Sequence, residues 1–176
     1  MTWLAHAFKA AFQQHHKALL PALRPLLPRD GVVLDAGAHA GQFAFLFARL
    51  VPDGRVYAFE PGSYARSILR VAAAVKRGPV SVRPEGLAEA PGESTLQVPV
   101  KPPGSVRFGV AHTGAPEGDG PHVADPVRVT TVDAFAAHAG LTRLDFIKAD
   151  IEGANCGCCR APSTASPPIG RACSWR

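Results

Sequence analysis

The sequence is poor in aromatic residues and in charge, and it lacks the features that define several classes of protein. Aromatic residues make up 7% of the 176 positions and charged residues 19%, whereas 47% are hydrophobic. No stretch approaches 18 consecutive apolar residues, and no basic segment followed by an apolar run opens the chain, so we expect neither a transmembrane span nor a signal peptide. Glycine and proline, 17 of each, stay below the level of a disordered or collagen-like chain. These features predict a cytoplasmic globular protein with no membrane partner.

Cysteine and acidic residues are each missing from one part of the chain. All four cysteines lie in residues 155–176, and that segment has no Asp or Glu. Residues 1–154 hold 16 basic and 14 acidic residues, so most of the net charge of +5 belongs to the tail. Residues 1–154 contain no cluster of Lys and Arg with interleaved aromatics, and we therefore expect no nucleic-acid partner.

The body of the chain alternates between strand and helix patterns. Short apolar runs at 31–35, 55–60, 79–83 and 144–150 predict strands, and helical spacing predicts helices over 2–20, 43–51 and 64–77. Residues 96–100 and 106–110 suggest a hairpin, 114–126 a loop, 127–132 a strand and 133–139 a short helix. The order predicts an α/β fold, with a parallel sheet and helices on both faces.

A glycine-containing turn follows the first predicted strand. Asp35, Gly37 and Gly41 have the spacing D-x-G-x-x-x-G, with His39 inside the turn. A dinucleotide site would instead show G-x-G-x-x-G, and an acid at the strand end repels phosphate but suits a cation. The spacing therefore favours a ligand with an amino acid moiety and a positive charge over a dinucleotide.

Glu60 ends the second predicted strand, where α/β nucleoside sites usually hold an acid that accepts hydrogen bonds from ribose hydroxyls. Taken alone, Glu60 is as readily explained as an exposed acid before Pro61. Its combination with the turn at 35–41 favours the ribose interpretation.

Four strings in order resemble the successive motifs of FkbM-type methyltransferases. They are Leu34-Asp35-Ala36-Gly37-Ala38-His39-Ala40-Gly41-Gln42-Phe43, Val56-Tyr57-Ala58-Phe59-Glu60-Pro61, Val129-Thr130-Thr131-Val132-Asp133-Ala134-Phe135 and Asp145-Phe146-Ile147-Lys148-Ala149-Asp150-Ile151-Glu152-Gly153-Ala154. His39 departs from the family, which usually has Asn there. The resemblance implies a Rossmann-like class I fold, S-adenosylmethionine (SAM) as cofactor, and methyl transfer to a hydroxyl of a sugar or secondary metabolite.

The resemblance also implies roles for particular residues. Asp35, Gly37, His39 and Gly41 would surround the methionine half of SAM, Glu60 would hold the ribose, and the turn at 85–88, with Leu87, would lie along the adenine. The residues expected at the catalytic edge are Lys148, Asp150 and Glu152. Asp150 or a nearby His is the expected general base, although Asp150 and Glu152 could instead order their loop. No metal is expected.

The resemblance ends abruptly after Ala154. A class I methyltransferase sheet has strand order 3-2-1-4-5-7-6, and only strands 1–4 have candidates here. We expect an N-terminal helix and connector over 1–30, a partial SAM-binding domain over 31–154, and an irregular tail over 155–176 that lacks a fifth strand.

A shift of reading frame explains the tail. GC-rich codons for residues 154–161, regrouped from the third base, spell Glu-Leu-Arg-Val-Leu-Pro-Gly, which restores the family pattern. A metal or disulfide site formed by the four cysteines is the alternative, but their spacing matches no standard zinc motif. The shifted frame predicts an inactive fragment of a methyltransferase.

Two other functions stay open. One is a non-catalytic SAM- or nucleoside-binding module completed by a partner chain. The other is a nucleotide-dependent oxidoreductase, which the absence of G-x-G-x-x-G disfavours.

Overall fold

A computed structural model describes residues 3–13, 16–101, 105–106, 112–113, 122–150 and 173–174. The helices are α1 (Trp3–Phe12), α2 (Leu20–Leu23), α3 (Gln42–Leu50), α4 (Ser63–Lys76) and α5 (Val132–His138), and 3₁₀ turns flank α2 at Lys17–Leu19 and Arg24–Leu26. The strands are β1 (Val32–Ala36), β2 (Arg55–Phe59), β3 (Val80–Arg83), β4 (Gly86–Leu87), β5 (Gly92–Lys101), β6 (Ser105–Val106), β7 (His112–Thr113), β8 (His122–Thr130), β9 (Phe146–Ala149) and β10 (Cys173–Ser174).

The main sheet is parallel, and its strand order is β10-β9-β1-β2-β3. The four strands predicted from apolar runs are β1, β2, β3 and β9, and their order agrees with 3-2-1-4. The mixed α/β fold of the Rossmann-like class is therefore confirmed. Because β1 lies between β2 and β9, the carboxyl ends of these three strands meet at one edge.

Alternate residues of β1 enter separate cores on the two faces of the sheet. Val33 packs in a cluster with residues of α1, α3 and α4. Leu34 packs on the opposite face with Val132 and Phe135 of α5. Helices on both faces, as predicted, explain why β1 is apolar along almost its whole length.

The helix predicted over residues 2–20 is interrupted. Helix α1 ends at Phe12, and α2 begins at Leu20 with Pro21 in its first turn. Proline is tolerated there because the N–H it lacks would have no partner within the helix. The prediction of one continuous helix over residues 2–20 is therefore wrong.

A second sheet joins β4, β8, β5 and β6, with β7 paired to β5. Strand β5 pairs with β6 at Val100 with Val106, as the predicted hairpin requires, and the predicted residues 107–110 lie outside the described residues. The main partner of β5 is β8, over a ladder from Gly92 with Val129 to Pro99 with His122. The loop predicted over 114–126 is therefore wrong from His122 onward. Leu96, Val98 and Val127 form a small core of their own. Polar residues alternate with the apolar ones in β8, so a search for apolar runs does not detect the start of this strand.

The tail also differs from expectation, since Cys173–Ser174 pairs in parallel with Ile147 and Lys148 of β9. This two-residue strand occupies the fifth place in the sheet, where the sequence predicted none. Pairing with a sheet edge requires only backbone N–H and C=O groups, so the composition of the tail does not exclude it. In the part of the chain that the structure describes, no helix has both the length and the apolar character to span a membrane.

Candidate functional site

The turn between β1 and α3 lies across the carboxyl end of β2. The N–H groups of Gly37 and Ala38 both donate to the carbonyl of Phe59, at 3.1 and 2.9 Å. Gly37 has φ +73°, and a Cβ built on it would lie 2.1 Å from the backbone oxygen of Asp150. Glycine is therefore required at 37 by the end of β9 as well as by the backbone conformation.

Gly41 makes a close contact of another kind. It has φ +92° and caps α3, and a Cβ there would come within 2.6 Å of the side chains of Leu69 and Phe45. The structure shows that the close neighbours are side chains of α3 itself and of α4.

Glu60 follows β2 and is buried, with 8% of its surface exposed. Its Oε2 accepts a hydrogen bond from the N–H of His39 at 2.7 Å, and its Oε1 accepts one from the N–H of Gly62 at 2.8 Å. The Arg66 guanidinium donates to the carbonyls of Glu60 and Pro61. The carboxylate is thus held between the turn after β1 and the start of α4.

Burial raises the pKa of Glu60 above its ordinary value of 4.5. The N–H groups of Gly62 and His39 and the charge of Arg66 oppose this effect in part. A carboxylate has about four acceptor positions, and two backbone donors leave some of them for further donors.

Asp35 is fully buried in the central strand. Its Oδ1 lies 3.0 Å from Nζ of Lys148, which is 6% exposed. Among the described residues, no group makes a hydrogen bond of regular geometry to either carboxylate oxygen. Burial raises the pKa of Asp35, and the Lys148 ammonium opposes that rise.

Lys148 has further contacts at the same edge. Its Nζ donates to the carbonyl of Gly37 at 3.1 Å, lies 3.7 Å from Oδ2 of Asp150, and sits 5.0 Å from the centre of the Phe43 ring. The Asp150 side chain is 51% exposed. Unlike the buried Asp35, Asp150 therefore has a carboxylate that solvent and ligands can reach.

His39 has φ +47° and is exposed. The atoms around its ring still desolvate it partly, and this desolvation lowers the pKa of His39. The charges of His6 and Lys148 lower that pKa further. A neutral imidazole at pH 7 follows, because the ordinary value is 6.5.

The structure brings Asp35, Gly37, His39, Glu60 and Asp150 to one edge, but not all of the predicted residues. Leu87 is 3% exposed and packs in the core with Phe59 and Phe135, so its side chain does not face this edge. Glu152 lies outside the described residues. No group of His, Cys, Asp or Glu suited to a metal ion occurs within the described ranges.

Three residues of the site were missed by the sequence analysis. Gly62 and Arg66 hold Glu60, and Phe43 lies beside Lys148. For Gly62 and Arg66 the available signal was their position, two and six residues after an acid that ends a strand. No local pattern connects Phe43 with a lysine so distant in the chain.

Comparison with known proteins gives a family for most of this chain. A family model described as the methyltransferase FkbM domain matches residues 35–166, and the match extends past Ala154. The crystal structure of a candidate rRNA methylase from Clostridium thermocellum is similar over 43% of this chain and 44% of that one, at 18% identity and a TM-score of 0.37. The match thus spans less than half of that protein's length. Comparison with curated proteins found no match.

The close contact at Gly37 predicts an unusually costly alanine substitution. Gly37→Ala should lose about 1–2 kcal/mol from the left-handed backbone and roughly 1–3 kcal/mol more from overpacking against the Asp150 carbonyl. Gly140→Ala is the matched control, because Gly140 has φ +64° but nothing within 4 Å of a Cβ. Urea unfolding measures both losses. Equal losses in the two variants would contradict the contact.

The raised pKa of Glu60 predicts a pH-dependent contribution to stability. Native Glu60 keeps its proton to a higher pH than the unfolded chain, so this residue's contribution to the free energy of unfolding falls as pH rises from about 4.5 through the raised pKa. The Glu60→Gln variant lacks this fall with pH. Its loss of a carboxylate acceptor lowers the free energy of unfolding by about 1–3 kcal/mol at every pH. The stability advantage of the wild type over Glu60→Gln should therefore shrink as pH rises.

Urea unfolding between pH 4 and 7 tests this trend. Glu93→Gln, at an exposed position, controls for the removal of one carboxyl group. A wild-type advantage that grows with pH would show that burial does not dominate the titration of Glu60.

Proposed function

The chain belongs to the FkbM methyltransferase family, and from this we propose that it binds SAM at the carboxyl edge of its main sheet and directs the methyl group to a hydroxyl of a sugar or secondary metabolite. The observation that carries the proposal is the buried Glu60 carboxylate, held by two backbone N–H groups. It lies at the end of the strand beside the glycine-containing turn.

Glu60 fits a ribose. Its remaining acceptor positions suit a pair of hydroxyl donors, and its two backbone hydrogen bonds fix the carboxylate before a ligand arrives. Preorganisation of this kind reduces the entropy lost on binding. The turn at 37–41 would border the methionine half, and the N–H of His39 connects this turn to Glu60.

Asp150 is the residue we assign to proton removal. SAM supplies an activated methyl group when bound. The attacking hydroxyl must lose its proton, and an exposed carboxylate at the strand end is suited to accept it. General base catalysis of this kind typically contributes 10²–10⁴-fold to the rate. A role for Glu152 stays a prediction, as does a contact of Leu87 with adenine.

Isothermal titration calorimetry tests the cofactor assignment. The 176-residue chain should bind SAM and its demethylated product more tightly than NAD. Glu60→Ala should weaken SAM binding by about 1–3 kcal/mol through the lost hydrogen bonds to ribose. Tighter binding of NAD would instead support the oxidoreductase, and unchanged affinity in Glu60→Ala would remove Glu60 from the site.

Asp150 should affect turnover more than cofactor affinity. In a protein whose reading frame is restored at codon 154, Asp150→Asn should lower kcat by about 10²–10⁴-fold and leave the dissociation constant of SAM nearly unchanged. Rates of methyl transfer and calorimetry on the same samples separate the two effects. Equal losses in both would indicate a structural role for Asp150.

We also propose that the 176-residue chain binds SAM without completing methyl transfer. The proposal is supported by the composition of residues 155–176, which have four cysteines and no acid, unlike the rest of the chain. Methyl transfer from labelled SAM should be detected only after the frame is restored. Equal transfer by both proteins would rule out the shifted frame. If neither protein transfers methyl groups, the non-catalytic SAM-binding module would be favoured. The partner chain of such a module stays a prediction. The cytoplasmic location also stays a prediction.

A further inference from the structure

Lys148 is a buried cation where three parts of the candidate site meet. In the parallel ladder, Lys148 of β9 is the register partner of Asp35 of β1, so their side chains lie on the same face of the sheet. The ammonium also contacts the carbonyl of Gly37 and the face of the Phe43 ring. It therefore connects both central strands, the turn and the first residues of α3.

The ammonium makes an ion pair with Asp35 and donates a hydrogen bond to the Gly37 carbonyl. Asp35 lies at 3.0 Å and the Gly37 carbonyl at 3.1 Å, while Asp150 is more distant at 3.7 Å. Lys148 is 6% exposed and Asp35 is completely buried. The charge of Asp35 is thus compensated within the protein and does not reach the surface of the site.

We propose that Lys148 is a positioning residue that fixes the Gly37 turn, and that Asp35 is its internal counter-ion and makes no contact with the cofactor. This inference rests on the proposed SAM site. It revises two expectations from the sequence, namely a catalytic Lys148 and an Asp35 that meets the positive charge of the ligand.

The two roles predict different behaviour of stability and affinity. A counter-ion matters only while the other charge is present, because an unpaired buried charge is the main source of destabilisation. The hold on the Gly37 carbonyl needs a donor at position 148 whether or not Asp35 is charged. Removing both charges should therefore restore the stability of the fold but not the position of the Gly37 turn.

The experiment uses the 176-residue chain with Asp35→Asn, Lys148→Met, the double variant and Lys148→Arg. Calorimetry gives dissociation constants for SAM, which has a positive sulfur, and for S-adenosylhomocysteine, which does not. Thermal unfolding gives Tm. Lys76→Met is the matched control, since Lys76 also lies 5.0 Å from a phenylalanine ring of α3 but has no role in the site.

Each single neutral variant should lower Tm by roughly 10 °C, and the double variant should recover most of that loss. Lys148→Met and the double variant should both bind the two ligands at least about tenfold more weakly. Lys148→Arg should recover part of the affinity, because it keeps donors near Gly37. Asp35→Asn should leave the ratio of the two dissociation constants unchanged, and Lys76→Met should bind as the wild type does.

Two results would overturn the proposal. If Asp35→Asn weakens SAM much more than S-adenosylhomocysteine, Asp35 meets the positive sulfur directly. If the double variant binds both ligands as the wild type does, Lys148 does not hold the turn. Failure of the wild type to bind either ligand would instead remove the proposed function, and the recovery of Tm in the double variant would still test the counter-ion.

Discussion

A carboxylate with no exposure to water in the middle of a parallel sheet is the constraint on which the candidate site depends. The cost of burying an unpaired charge is several kcal/mol, so Asp35 needs a cation on the same face of an adjacent strand. The register of β1 and β9 places Lys148 there. From that position the lysine also contacts the Gly37 carbonyl and the face of the Phe43 ring.

The second constraint is the close approach of the turn after β1 to the ends of β2 and β9. The N–H groups of Gly37 and Ala38 share the Phe59 carbonyl, and the Asp150 carbonyl occupies the space in which a side chain of residue 37 would lie. The turn is therefore packed against backbone on both sides. A site bounded by backbone in this way is preorganised, because few side-chain rotamers remain to be fixed when a ligand binds.

Local patterns in the sequence predicted the parts of this arrangement that depend on local chemistry. Apolar runs located β1, β2, β3 and β9 of the main sheet, and the spacing of Asp35, Gly37 and Gly41 located the turn. Strand β8 was missed at its start, because its alternation includes Pro126 and polar residues. The pairing of Asp35 with Lys148 depends on register between distant segments, which composition and spacing do not encode. The backbone pairing of Cys173–Ser174 with β9 leaves no side-chain pattern at all.

Two buried acids at one edge are stabilised in different ways, and the difference decides which of them can meet a ligand. Asp35 is neutralised by an ammonium and is closed off from solvent. Glu60 receives two neutral N–H donors, makes no ion pair through its carboxylate with any described residue, and is 8% exposed. A donor group from outside gains more from an anion whose charge is not already compensated. In the proposed SAM site, Glu60 is therefore the acid assigned to the ligand, whereas Asp35 is assigned to the lysine that would position the turn.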